Sequence, residues 1–577
     1  MKLSDYIVSF LGEKKKITDV FGYPGGMVTH LMDSFDKYHD NISAHLAYHE
    51  QGAAFCACGY GQISGLPGVA YATSGPGATN LITGIANAYF DSIPCLFITG
   101  QVNTYEAKGC LAVRQKGFQE MDVVGVVNSL TKYAAKVTRA NDIRYELEKA
   151  FSLSVSDRPG PVLLDIPMDI QRAEIDPETL PGYSKGKQSS YDSFAAKKDV
   201  VLDALRQAKR PLIIAGAGVS HSGSQKEFQD VVEQLKIPVV TSMIGVDCLP
   251  HESPYNFGFI GAYGHRYANF AVAKSDLIIS LGSRLDCRQT GANKNMFAQG
   301  AKIIRIDIDP GETTNKIKDD ETVLLCDIRE VLPIISHDTR FRFGDKYEPW
   351  LRQCRILKDK LQCLDNEPSN AMVREISRYV PEDVVVTTDV GQNQVWVAQD
   401  FAVKKKQRVL FSGGHGAMGY SLPAAIGAYY ASRKPVICFT GDGGLQMNIQ
   451  ELQFIAREGL PIKIVLMNNY SLGMIRHFQE MYFAANTTQT TATKGYAVPD
   501  FNKLAGAYGI DNYTINNCND IPPLEEIFRS ASPVFIHVVL SDKTYVYPKL
   551  AINKPIHDQD PLMARNLFDE LMSIDSD

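Results

Sequence analysis

No apolar run in the sequence reaches the roughly 18 residues that a helical membrane span requires, so a soluble chain is expected. Positive charge is not in excess either. The 59 Lys and Arg against 65 Asp and Glu leave a formal net charge of -6, which removes any motive for binding polyanions. No nucleic-acid or membrane partner is therefore expected. The short basic runs Lys14-Lys15-Lys16 and Lys404-Lys405-Lys406 read as solvated helix ends or turns. The 11 cysteines are scattered without C-x-x-C spacing, which points to reduced, mostly buried thiols and a cytoplasmic location. A cleaved leader is not expected: in "LSDYIVSFL" (3 to 11) Asp5 interrupts the apolar stretch, and Leu3, Ile7, Phe10 and Leu11 share one helical face.

What is present is ordinary globular composition in 577 residues, too long for a single hydrophobic core. Residues 1 to 175 alternate helical patterns with short apolar strands such as "GVAYAT" (68 to 73), "CLFITG" (95 to 100) and "PVLLDIP" (161 to 167), which predicts a parallel sheet covered by helices. A Pro-, Gly-, Ser- and charge-rich stretch (176 to 193) reads as a linker. A second α/β series occupies 195 to 340, with "RPLIIAGAG", "PVVTSMIG", "DLIISLGSR" and "KIIRIDIDP" as its strands. Charged helical sequence leads into a third, 365 to 550, with "DVVVTTDVG", "PVICFTGDGG" and "IKIVLMNN", and 551 to 577 forms a tail. Three α/β units of similar size without a short repeat predict duplicated, doubly wound parallel-sheet domains rather than a solenoid.

Two polar islands end adjacent predicted strands in the third block: Gly441-Asp442-Gly443-Gly444 and Asn468-Asn469. In an open parallel sheet, ligands bind beyond the carboxyl ends of the strands, where helix N-termini also point. If these two strands are neighbours, a carboxylate and an amide oxygen converge, leaving room for phosphate oxygens and water. That donor set describes a magnesium site holding a diphosphate. Taken singly, Gly-Asp-Gly reads equally as a tight turn and Asn-Asn as a helix cap.

As a pair, GDG, 24 residues and then NN resemble the signature of thiamine diphosphate enzymes. The resemblance spans almost the whole chain and is nearest to the large catalytic subunit of the acetolactate (acetohydroxyacid) synthase family. "YHEQGAAFCACGYG" (48 to 61), "ATSGPGATNLITGIANAYFDSIPCLFITGQV" (72 to 102), "GFQEMD" (117 to 122) and "RPGPVLLDIPMDIQ" (158 to 171) look like its pyrimidine-binding domain. "DVGQNQVWVAQ" (389 to 399), "SGGHGAMGYSLPAAIGA" (412 to 428) and the GDG to NN segment resemble its diphosphate-binding domain.

The resemblance implies the thiamine diphosphate-binding fold with a Rossmann-like centre, and it implies roles. Glu50 stands where the family places the glutamate that bonds the pyrimidine nitrogen and drives formation of the imino tautomer, while the cofactor carries the hard chemistry. Read alone, Glu50 is a surface carboxylate. Phe118 and Gln119 of the "FQE" element are implied at the catalytic centre. Met418 is implied as the wedge that bends the cofactor, a position otherwise read as core filler. Asp442 and Asn469 would bind Mg²⁺ through side chains and Ser471 through its carbonyl. Val390, Gly391, Gln392, Asn393, Gly416, Gly441, Gly443, Gly444, Met447, Leu472, Gly473 and Met474 would line the cofactor. A homodimer is the implied minimum, with a tetramer open, because the family's two halves of one site come from different subunits.

Several positions depart from the family pattern. A channel lysine is Met168, a pocket tryptophan is Phe478, and the histidine of "GQH" is Asn393. The reacting centre is therefore expected intact and the acceptor pocket altered. In the middle block "GAGVSHSG" (216 to 223, opening on Gly216), Arg284, Arg288, Asp307 and Asp327 fit the family's FAD site, but "GAYG" (261 to 264) and Cys287 depart from it. FAD, ADP and an empty site stay open. The tail resembles those of acetolactate-synthase-like proteins with varied acceptors. The expected activity is a carboligase taking a 2-oxo acid donor and a second carbonyl compound, either a 2-oxo acid or a keto-sugar nucleotide. A non-ligating 2-oxo acid decarboxylase is the alternative, and a non-catalytic module is disfavoured by Glu50, Asp442 and Asn469 together.

Overall fold

The computed structural model describes residues 1–184 and 191–573, so part of the expected linker, 185–190, lies outside the described residues. Three six-stranded parallel sheets account for the architecture. The first domain carries β1 (Asp19–Gly22), β2 (Ser43–Leu46), β3 (Gly68–Ala72), β4 (Cys95–Gln101), β5 (Tyr133–Lys136) and β6 (Pro161–Pro167). The central domain carries β7 (Pro211–Ala215), β8 (Val239–Thr241), β9 (Asn256–Phe259), β10 (Leu277–Leu281), β11 (Lys302–Asp307) and β12 (Thr322–Leu325). The third carries β13 (Val385–Thr388), β14 (Arg408–Leu410), β15 (Val436–Gly441), β16 (Ile462–Asn468), β17 (Asp511–Ile515) and β18 (Val534–Val539).

The first and third sheets share one strand order. They run β2-β1-β3-β4-β6-β5 and β14-β13-β15-β16-β18-β17, so each corresponding strand takes the same place. The outer domains are thus one fold used twice. The central sheet runs β12-β11-β10-β7-β8-β9, the dinucleotide-fold order read from the far edge. Order reverses between β1 and β3, between β13 and β15, and between β7 and β10, and at each reversal the loops beyond the strands diverge to leave a crevice.

The two outer domains meet through equivalent helices. Glu50–Ser64 links β2 to β3, and Ser421–Ser432 links β14 to β15. Their small residues permit backbone contact: a Cβ on Gly59 would lie 2.1 Å from the Ala424 carbonyl oxygen, and one on Gly427 would lie 1.8 Å from that of Cys56. This reciprocity gives a pseudo-two-fold contact inside one chain. One apolar core runs across it, with Phe55, Tyr420 and Phe454 fully or nearly fully buried.

The segment after β18 returns to the central domain. Leu550 N–H donates to the Ala262 carbonyl (2.6 Å), and Arg266 grips Asp365 and the carbonyls of Gln559 and Pro561. Ile556 and Leu571 lie in the central core. The leading helix Leu3–Ser9 buries Leu3 and Ile7 as its pattern predicts, while buried Asp5 accepts from Ser34 and Lys37. Among the described residues no helix is long and apolar enough to cross a membrane. Cys56, Cys58, Cys95, Cys248, Cys326, Cys354 and Cys438 are buried free thiols.

Candidate active site

β15 and β16 are neighbours, with Gly441 paired to Met467, so Asp442 and Asn469 leave the sheet side by side. Asp442 opens the helix Asp442–Met447. One of its oxygens accepts from Gly443 N–H (2.9 Å) and the other from Ser471 N–H (3.1 Å). The carboxylate is buried with no salt bridge among the described residues, and burial pushes it up to about 6 from its ordinary 3.8. Asn469 has a fixed amide: its nitrogen donates to Gln392 Oε1 (2.8 Å) and Thr544 Oγ1 (2.9 Å), which leaves its carbonyl oxygen as the free donor atom. Ser471 Oγ donates to the Thr490 carbonyl (2.9 Å), holding the Ser471 backbone in place.

These groups fit a divalent cation. The set is one carboxylate, one amide oxygen and one peptide carbonyl, all hard oxygens, and the buried carboxylate lacks a counter-charge. Among the described residues no cluster of three His, Cys, Asp or Glu offers a rival metal site.

The surroundings fit an extended phosphate ligand. A Cβ on Gly443 would meet Leu472 Cδ2 at 2.7 Å and Met418 Cε at 3.1 Å, so those side chains close over a glycine floor. A Cβ on Gly473 would lie 2.0 Å from Gln392 Oε1. Asn393 is buried with its Oδ1 unpartnered, and its Nδ2 faces Gly441. Val390 and Gly391 follow β13 across the crevice, Gly444 lies against the Asp389 carboxylate, and Met474 packs on the outer core. Gly416, at φ +70°, has open space beside it, and Met447 is 55% exposed at the mouth. Asp389 itself was not singled out in the sequence. It accepts from Val390, Gly419 and Ser421 N–H groups (2.8, 2.9 and 3.3 Å) and so fixes the loop carrying Met418.

Glu50 heads its helix in the first domain, buried, and accepts from Asn80 Nδ2 (2.9 Å). A Cβ on Gly77 would lie 3.3 Å from its Oε1, and one on Gly75 would lie 2.9 Å from Gln119 Cβ, so Glu50 and Gln119 flank the same loop after β3. Phe118 is 77% exposed beside them. Among the described residues no hydrogen bond or ion pair joins this group to the Asp442 group.

The remaining expected residues gather elsewhere. Beyond the β7/β10 reversal, Arg284, Arg288, Asp307 and Asp327 line a cavity of about 550 Å³ that also touches Asp91 and Arg158 of the first domain and Arg408 of the third; Gly216 lies behind its wall, which Ala217 and Gly218 form instead. A Cβ on Gly216 would lie 2.1 Å from the Gly282 carbonyl oxygen, bringing the two strand ends into contact. Arg284 Nε is buried without a hydrogen bond, 3.5 Å from Glu312, and burial pushes the Asp307 carboxyl up to about 6. The Asp307 carboxylate accepts from Asp309 N–H (2.9 Å) and Arg284 Nη1 donates to the Phe90 carbonyl (3.5 Å), so a cleft with apolar walls, one unbonded guanidinium nitrogen and a buried carboxylate fits a nucleotide. Asp327 is partly spent on Arg329 and on capping the next helix, while Arg288 and Cys287 are exposed.

Three family models match the chain: the N-terminal TPP binding domain of thiamine pyrophosphate enzymes over residues 1–126, their central domain over 199–335 and their C-terminal TPP binding domain over 389–538. The chain is 37% identical over 569 residues to the acetolactate synthase large subunit of Lactococcus lactis, covering 96% of this chain and 95% of that protein. It is 36% identical to the acetolactate synthase isozyme 2 large subunit of Escherichia coli (92% and 94% covered) and 36% identical to a probable acetolactate synthase large subunit of Methanocaldococcus jannaschii (100% and 98% covered).

Proposed function

Since the chain belongs to the acetolactate synthase large-subunit family of thiamine diphosphate-dependent enzymes, we propose that it is a Mg²⁺-dependent carboligase. It decarboxylates pyruvate or a close 2-oxo acid and transfers the acyl unit to a second carbonyl compound. The observation that carries this reading is the pairing of Asp442 with Asn469 at the ends of adjacent strands, above a glycine floor closed by Met418 and Leu472.

Each group has a task its surroundings support. Asp442, the Asn469 amide oxygen and the Ser471 carbonyl would hold Mg²⁺, whose charge would secure the cofactor's diphosphate. Gln392 and Thr544 orient Asn469 by accepting a hydrogen bond from each of its amide N–H groups. When bound, the cofactor supplies the electron sink for loss of CO₂. Glu50, fixed by Asn80, holds a proton against the pyrimidine ring nitrogen. Gln119 and Phe118 stand at the catalytic centre beside Glu50, on the acceptor side.

Following the family pattern, in which the two halves of one site come from different subunits, the working unit is a homodimer in which each site takes Glu50 from one subunit and Asp442 from its partner. The central cleft holds FAD or another adenine nucleotide through Gly218, Arg284 and Asp307, in a role that is not redox. The domain limits are 1–175, 195–340 and 365–550, and the location is the cytoplasm.

Met168 and Phe478 remove a cation and an indole from positions the family uses for the acceptor, so transfer to a bulkier carbonyl compound without a carboxylate beside its reacting carbon, such as a keto-sugar nucleotide, is favoured over acetolactate formation. A second reading, in which the acceptor is a 2-oxo acid, is favoured by Lys549. Its ammonium stands 5.7 Å over the Phe478 ring, and among the described residues its one hydrogen-bond acceptor is Met481 Sδ (3.3 Å). Purified protein with Mg²⁺, thiamine diphosphate and labelled pyruvate, with and without candidate acceptors, tests both by product mass. A coupled product that appears only with an added acceptor supports the first reading. Efficient acetolactate from pyruvate alone supports the second, and aldehyde alone makes the protein a decarboxylase.

A further inference from the structure

We infer that Glu451 is a positioning residue for Glu50: a carboxylate of the third domain that holds the turn from which Glu50 enters the site. The inference rests on the role proposed for Glu50 above. Tyr48 N–H donates to both oxygens of Glu451, at 3.0 and 3.2 Å, across the boundary between the outer domains. Two residues beyond Glu50, a Cβ on Gly52 would lie 2.4 Å from Glu451 Oε1, so the first turn of the helix closes directly over the carboxylate. Glu50 sits between these two contacts and, among the described residues, has one side-chain anchor of its own, Asn80.

Glu451 is an expensive residue to place here. It is completely buried and makes no salt bridge among the described residues; Arg457, on its own helix, pairs with Glu458 instead. Burial pushes its carboxyl up to about 7, opposed chiefly by the Tyr48 and His49 N–H groups. An apolar side chain would cost less if filling space were the only requirement. What an apolar side chain lacks is an acceptor for the N–H groups that precede the helix, and those peptides set the position of the Glu50 Cα. Catalytic groups must be held to within about 0.5 Å, and a displacement near 1 Å can cost about 100-fold.

The test uses the full-length protein and reads hydrogen–deuterium exchange at C2 of added thiamine diphosphate with Mg²⁺, by NMR after acid quench, alongside calorimetric cofactor affinity and thermal melting. Glu451→Ala is expected to slow exchange by about 100-fold with cofactor affinity unchanged. Glu451→Gln, which keeps one acceptor oxygen, is expected to recover most of that loss. Gly52→Ala, which forces the carboxylate aside, is expected to slow exchange without touching Glu451, and it carries the test if the alanine variant melts below the assay temperature. Wild-type exchange in both Glu451→Ala and Gly52→Ala, with exchange abolished in Glu50→Gln, overturns the inference alone. Equal loss in Glu451→Gln and Glu451→Ala, tracking lowered melting, also overturns it, because the residue is then only structural. Wild-type exchange in Glu50→Gln removes the role assigned to Glu50 and this inference with it.

Discussion

Glu50→Gln is expected to lower turnover of a 2-oxo acid by about 10²- to 10⁴-fold, while thiamine diphosphate and Mg²⁺ bind as in the parent protein. The substitution keeps the size of the side chain and an oxygen for Asn80, which now sits 2.9 Å from Oε2. It removes the proton-holding carboxylate. A glutamine offers the pyrimidine nitrogen an N–H that it cannot give up or take back, so the loss falls on chemistry and not on binding. Steady-state kinetics with calorimetry on the same samples separates the two. Full turnover by the glutamine variant would remove Glu50 from the mechanism.

Asp442→Ala is expected to abolish Mg²⁺-dependent binding of thiamine diphosphate. The carboxylate is the only charged donor in its cluster, and two N–H groups already hold it in shape. Without it, the diphosphate meets an amide and a carbonyl that cannot retain the bridging cation. Titration adds a signature. Burial raises the carboxyl from 3.8 to about 6 in the metal-free fold, so this group favours the folded state below its unfolded value near 4, and that contribution is lost as pH rises through about 6. Metal binding has the opposite dependence because it needs the carboxylate. Mg²⁺-dependent affinity should therefore fall about tenfold per pH unit below pH 6 in the parent protein, and no such dependence should remain in Asp442→Ala. Unchanged cofactor affinity in the variant would refute the metal assignment.

The sequence exposed the strands that are buried on both faces and hid those at the edges. β4, β6, β15 and β16 are buried and mostly apolar, broken by single polar residues such as Thr99, Asp165 and Lys463, because helices cover both sides of them. β2 and β17 are short and largely exposed edge strands, with no periodicity to mark them. The same asymmetry governs the site. Asp442 and Asn469 were legible because each follows a buried strand as an isolated polar island. Asp389 follows β13 in the same manner and had the same signal, a carboxylate at the end of a buried strand beside the order reversal. Glu451 had none. It sits in an amphipathic helix like many surface glutamates, and its burial depends on a contact with Tyr48, 403 residues away along the chain. Lys549 and Thr544 were hidden for the same reason, since the chain after β18 reaches the site only through tertiary packing.

The shared site is tested most directly by mixing. Glu50→Gln and Asp442→Ala proteins, each inactive alone, are combined in equal amounts under conditions where subunits exchange, and 2-oxo acid turnover is measured against the parent. In a mixed dimer one site receives both substitutions and the other receives neither. Random pairing is thus expected to restore about a quarter of parental activity. If Glu50 and Asp442 of the same chain served one site, every site in the mixture would carry one substitution. Demonstrated exchange with no recovered turnover would contradict the account.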